Sequence, residues 1–79
     1  MVSYNRLWET MQEKNITQYR LIKKYGVSAG QLGRLKKNMY VSTHTIEMLC
    51  SILCCPVEDV MEVYPEPELF VIPTEPNHP

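Results

Sequence analysis

The stretch Thr17-Gln-Tyr-Arg-Leu-Ile-Lys-Lys-Tyr-Gly-Val-Ser28-Ala-Gly-Gln-Leu-Gly-Arg34-Leu-Lys-Lys-Asn-Met-Tyr-Val-Ser42 contains three helix starts and one forced turn. Thr17, Ser28 and Ser42 are residues that cap helices. Each follows an apolar residue and stands four positions before another: Ile16 and Leu21, Val27 and Leu32, Val41 and Ile46. That spacing is the hydrophobic staple, in which the residue before the cap packs on the fourth helical residue. Ser28 also has Gln31 three positions on, which completes a capping box. The pattern predicts one helix over about Gln18 to Tyr25, with Leu21, Ile22 and Tyr25 inward, and another over about Ala29 to Lys37, with Leu32 and Leu35 inward. Gly26 suits the left-handed position after a helix. Only Val27 separates it from the next cap, so the two helices must cross steeply, which is a helix-turn-helix layout.

Working outward, the same device recurs at Ser3, between Val2 and Leu7, and predicts a first helix over about Tyr4 to Lys14 that turns Leu7, Trp8 and Met11 to the core. Ser42 opens a helix over about Thr43 to Cys54, with Ile46, Leu49, Cys50 and Leu53 on one face and a second apolar stripe at Met48 and Ile52. That excess of apolar surface suggests a further contact such as a dimer partner, the alternative being burial under the tail. A short fifth helix is expected after Pro56, with Glu58 and Asp59 in its first turn, fading near Tyr64. Five prolines lie at or beyond Pro65 and rule out helix there, leaving Leu69 to Ile72 as a short strand or an apolar clip. The expected fold class is all-α: a compact five-helix domain over residues 1–64 and a Pro-rich acidic tail over 65–79.

Seventy-nine residues make one small domain, able to bury about 60% of its unfolded surface, so a two-lobed enzyme with a cleft is excluded. With 44% apolar and 22% charged residues the chain is rich enough to fold. The longest apolar stretch, Met48 to Val57, falls short of the roughly 20 residues that span a bilayer. The N-terminus lacks a basic segment followed by an apolar one, so the cytoplasm is the expected compartment. Three cysteines, two of them adjacent, fit reduced thiols better than a disulfide framework. Net charge −1 conceals a split. Met1 to Val41 holds all eight basic residues against Glu9 and Glu13, net +6, and Ser42 onward holds seven acids and no base. Such a split predicts an N-terminal half that faces a polyanion, the plainer alternative being two solvated faces.

Thr17-Gln18 opening a helix, Gly26-Val27-Ser28 as the turn, Leu32 and Leu35 inside the next helix, Lys37-Asn38 after it, Ser42 opening another, and the run Cys50 to Met61 together resemble the Cro and phage-repressor type of helix-turn-helix family, the xenobiotic response element group, across about Tyr4 to Val63. The resemblance implies a five-helix lambda-repressor-like domain of bacterial or mobile-element origin. It implies binding to operator double-stranded DNA, usually as a homodimer, transcriptional repression and no cofactor. The second helix of the pair would enter the major groove while the first crosses the backbone. Arg20, Lys36 and Lys37 would neutralise phosphates, with Gln18, Asn38 and Thr43 completing the phosphate-facing set. Base-facing positions would be Ser28, Ala29, Gly30, Gln31 and Arg34. Only Arg34 offers a bidentate contact to guanine, the alternative being a bond to phosphate or solvent. Ala29 and Gly30 depart from the polar residues that many relatives carry. They leave a thymine-methyl contact and close backbone approach, and with them a second reading: an antitoxin-like or antirepressor-like module that binds a protein partner.

Cys50, Cys54, Cys55 and His44 are zinc-ligand types, but cysteines on an apolar helix face read better as small buried hydrophobes, and His44 as an exposed first-turn residue near a phosphate. No nucleophile elbow, phosphate loop or paired inward carboxylates are present, so catalysis is not expected. Lys23 and Lys24 are either a solvated face or further DNA contacts.

Overall fold

The structure, a computed structural model, describes residues 1–70. In chain order it has a strand β1 (Val2–Ser3), helices α1 (Asn5–Glu13), α2 (Gln18–Lys23), α3 (Ala29–Lys36) and α4 (Thr43–Leu53), a 3₁₀ turn Val57–Asp59, a strand β2 (Glu62–Val63) and a second 3₁₀ turn Pro67–Phe70. Four α-helices around one core keep the molecule in the all-α class.

Three of the four expected helix starts form as caps. The Thr17 hydroxyl accepts from the Arg20 N–H at 3.1 Å, and the Ser42 hydroxyl accepts from the Thr45 N–H at 3.1 Å. At Ser28 the capping box is complete: its hydroxyl accepts from the Gln31 N–H at 3.1 Å while the Gln31 Oε1 accepts from the Ser28 N–H at 3.2 Å. Gly26 takes φ +77°, the left-handed geometry that turns the chain between α2 and α3, and the Val27 N–H closes the turn on the Leu21 carbonyl at 2.9 Å.

The fourth start is a correction. Ser3 does not take the cap position: it is buried in β1, and α1 begins one residue later with Tyr4 at the cap position, whose own side chain makes no cap, so the Ser3 hydroxyl keeps only a bond from the Asn5 N–H at 3.3 Å. Pairing decides this, because Val2 and Ser3 bond antiparallel to Val63 and Glu62. The fifth helix is likewise a single 3₁₀ turn. The chain has only three residues between Pro56 and Val60 before Glu62 and Val63 are drawn into the ribbon, which leaves no room for an α-helix to propagate. Pro67–Phe70 corrects the reading that nothing beyond Pro65 is helical. Proline stands at its first position, where no N–H is needed. Residues 71 and 72, half of the expected strand or clip, and the tail after them lie outside the described residues.

The core draws on every helix: Tyr4, Leu7 and Met11, then Leu21 and Val27, then Leu32 and Leu35, then Leu49 and Leu53, closed by Val60 under the 3₁₀ turn. Trp8 is half-buried against this cluster, as are Met48 and Ile52 of the second α4 stripe. Ile22, expected inside, is 37% exposed. A helix of six residues turns one narrow face inward, which Leu21 occupies, and the next residue points about 100° away. The 3₁₀ turn is fastened to α1 by the Thr10 hydroxyl, which donates to the Asp59 carbonyl at 2.8 Å, and by Arg6, 3.4 Å from the Asp59 carboxylate.

Candidate nucleic-acid interface

Helix α3 turns Leu32 and Leu35 inward, so its remaining positions are fixed by geometry. At about 100° per residue, Ala29, Gly30, Gly33, Arg34 and Lys37 fall within an arc of about 140° opposite the two leucines. Ala29, Gly30, Arg34 and Lys37 are exposed and Gly33 is half-exposed. A Cβ added at Gly33 would meet nothing within 4 Å, and one at Gly30 only the Ser28 hydroxyl at 3.9 Å. No internal packing demands either glycine. This outward arc is smooth along most of its length, and Arg34 is its one long side chain before the lysines.

Electrostatics favour the same region. Arg6 is held by carboxylates, at 2.9 Å from Glu9, 3.4 Å from Glu13 and 3.4 Å from Asp59, and the Met1 ammonium is held by Glu66 at 2.6 Å. Among the described residues Arg20, Arg34, Lys36 and Lys37 have no acidic partner in ion-pair range and all four are exposed, so their positive potential is uncompensated locally. Lys24 sits 5.6 Å from the centre of the Tyr25 ring, a use of its charge within the domain.

The other sequence-stated positions divide. Gln18 is half-buried at the first position of α2 and Thr43 is exposed at the first position of α4. Asn38 takes φ +55° just past the end of α3, and its Oδ1 accepts from the Tyr4 N–H at 2.9 Å, tying that end of α3 to the start of α1. The Tyr4 hydroxyl donates to the Met39 carbonyl at 2.9 Å and fastens the same joint from inside. Ser28 and Gln31 are bonded to each other through the capping box, and the Gln31 Nε2 also donates to the Thr45 hydroxyl at 2.9 Å. Gln31 therefore keeps one Nε2 proton and one Oε1 lone pair for anything outside.

Thr45 is the residue that sequence reasoning missed. It is buried, 3.1 Å from the Ser42 hydroxyl, and joins the N-terminal turn of α3 to the cap of α4. Its signal was spacing: Thr45 stands four and eight residues before Leu49 and Leu53, on the buried face.

His44 lies 3.8 Å from Glu47 and is exposed. Cys50 and Cys55 are half-buried, and burial pushes both thiols up, which keeps them protonated and apolar in character near neutral pH. Among the described residues no group of three or more His, Cys, Asp and Glu side chains converges. Among those residues no helix is long and apolar enough to cross a membrane.

The comparisons with known proteins agree with this geometry. No curated protein matches the chain. A crystal structure of the transcriptional regulator VanUg is similar to it, with 34% sequence identity, a TM-score of 0.74, and 82% of this chain and 87% of that one covered. The model of the Cro/C1-type HTH DNA-binding domain matches residues 6–66, which span the four α-helices from the second residue of α1 onward, the 3₁₀ turn Val57–Asp59 and β2. On that match the chain belongs to the Cro/C1-type helix-turn-helix DNA-binding domain family.

Proposed function

We propose that this chain is a sequence-specific repressor of transcription that binds a two-half-site operator in double-stranded DNA as a homodimer, in the cytoplasm and without a cofactor. The observation that carries the reading is the outward, mostly exposed arc of α3, which bears Arg34 beside small residues. In this reading α3 enters the major groove and Arg34 bonds guanine O6 and N7. Ala29 touches a thymine methyl, Gly30 and Gly33 let the helix backbone come close, and Ser28 with Gln31 presents the capping-box turn to neighbouring bases. Arg20, Lys36 and Lys37 neutralise phosphates on either side. Gln18, Asn38 through its amide NH₂, and Thr43 hydrogen-bond the same backbone.

With a thin set of base contacts, part of the specificity falls to DNA shape. The test is anisotropy of a randomised duplex pool at several salt concentrations with the bound fraction sequenced. The expected result is an enriched palindromic motif containing guanine, with affinity falling steeply as salt rises. Binding without enrichment would remove the sequence-specific part. No binding at all would favour the protein-partner reading, an antitoxin-like or antirepressor-like module.

A further inference from the structure

Tyr4 is buried in the core, where a phenylalanine would fill nearly the same space without a hydroxyl. A buried phenol is unfavourable unless its hydroxyl is bonded. Here it donates to the Met39 carbonyl at 2.9 Å, while the Tyr4 N–H donates to the Asn38 Oδ1 at 2.9 Å. Both targets lie at the end of α3. Asn38 takes a left-handed φ of +55° just past the helix, and the Met39 N–H returns to the Arg34 carbonyl at 2.9 Å, the bond that closes a Schellman-type helix end. A single residue at the start of α1 therefore grips both residues that terminate the helix proposed to enter the major groove. The grip also decides which way round the Asn38 amide stands. An N–H bonds only an acceptor, so the amide gives its oxygen to Tyr4 and keeps its NH₂ free. Asn38 is exposed, and among the described residues its Nδ2 has no partner. A free NH₂ beside Lys36 and Lys37 is a donor for an anionic oxygen such as a phosphate carries. Glycine would fit the left-handed position with less strain, but it offers neither the oxygen nor the donor.

We propose that Tyr4 is a positioning residue for DNA binding: it touches no DNA itself, and its two bonds hold Asn38 with the NH₂ end outward, ready for a phosphate at the end of α3. The N–H sets the orientation of the amide, and the hydroxyl fixes the backbone that carries it. The inference rests on the operator reading above, within which it supplies the reason why Asn38 meets the phosphate as a donor. Losing the hydroxyl frees Met39, and with it the neighbouring Asn38. The lysines do not depend on it. Lys36 and Lys37 are held by α3 itself, through buried Leu35 and through the bonds from the Lys37 N–H to the Gly33 and Arg34 carbonyls at 3.3 and 3.1 Å. Loss of the Tyr4 hydroxyl thus removes a contact without charge and leaves the charged ones in place.

The wild-type chain, Tyr4→Phe, Asn38→Asp and the double variant would be titrated by anisotropy with the selected duplex across a salt series, with circular dichroism confirming that each is folded. Aspartate keeps an oxygen for the Tyr4 N–H and removes only the NH₂. The expected result for Tyr4→Phe is a loss of affinity of about fivefold or more with the salt slope unchanged. Asn38→Asp would lose about tenfold or more, and in its background Tyr4→Phe would cost less than about twofold, because the donor it positions is already gone. Wild-type affinity in Tyr4→Phe would overturn the inference, as would losses that multiply in the double variant. A flattened salt slope in Tyr4→Phe would overturn it too, since the lysines would then have moved and the hydroxyl would be a general prop of the helix. Asn38→Asp leaves the core untouched, so wild-type affinity there would be decisive even if Tyr4→Phe failed to fold. A wild-type chain that binds no duplex would remove the operator reading and this inference with it, whereas wild-type binding with an indifferent Tyr4→Phe would remove this inference alone.

Discussion

In the proposed complex recognition turns on Arg34, because a planar guanidinium with parallel donors matches one base edge and few other groups on α3 reach outward. Replacing it with alanine is expected to cost about 1–3 kcal/mol on the selected operator and much less on random duplex, measured by parallel anisotropy titrations. An equal loss on both duplexes would reduce Arg34 to a phosphate contact. Lys37 lies at the end of the same helix, and an ammonium there reads charge rather than sequence. Lys37→Ala should weaken every duplex alike and lower the salt slope by about 1. The types and positions of both residues were readable from sequence, since Leu32 and Leu35 fix the helix phase. Sequence did not reveal which side chains are already committed, as Gln31 and Asn38 are, because their partners Thr45 and Tyr4 are fourteen and thirty-four residues away.

The capping box at Ser28 could be read from four residues, whereas its continuation into α4 required the fold. Thr45→Val keeps the shape of the buried side chain and removes the hydroxyl that accepts from Gln31. It should destabilise the domain by about 1–2 kcal/mol, seen as a lower urea midpoint, and loosen the start of α3. Gly33 gives the opposite sign. A methyl group there meets open space and glycine is a poor helix former, so Gly33→Ala should stabilise the domain by about 0.5–1 kcal/mol in the same assay. If α3 lies close against DNA, the same variant will bind more weakly while melting later. Tighter or equal binding by the stabilised variant would argue against close approach.

For the whole molecule, what matters is where the charge split ends up. The acids Glu9, Glu13 and Asp59 gather on Arg6, and Arg20, Lys36 and Lys37 have no acidic partner among the described residues. One phosphate neutralised by each of these three side chains, as in the proposed complex, predicts that the logarithm of affinity falls against the logarithm of salt with a slope of about −3 per protomer, read from titrations at four or five ionic strengths. A slope near zero would mean that the positive face does not meet a polyanion.

Local signals determined most of the helical plan. The caps at Thr17, Ser28 and Ser42, the glycine turn at Gly26 and the inward leucines of α3 and α4 follow from residues within one or two turns of each other, so a linear reading reaches them. Long-range pairing decided the rest. Val2 and Ser3 became a strand because Glu62 and Val63, some sixty residues on, supply the missing hydrogen bonds, and that same pairing displaced the first cap and replaced a fifth helix with a 3₁₀ turn. Two-residue strands carry no periodicity of their own. Their existence depends on both partners being brought together by the core between them, a condition that only the folded chain meets.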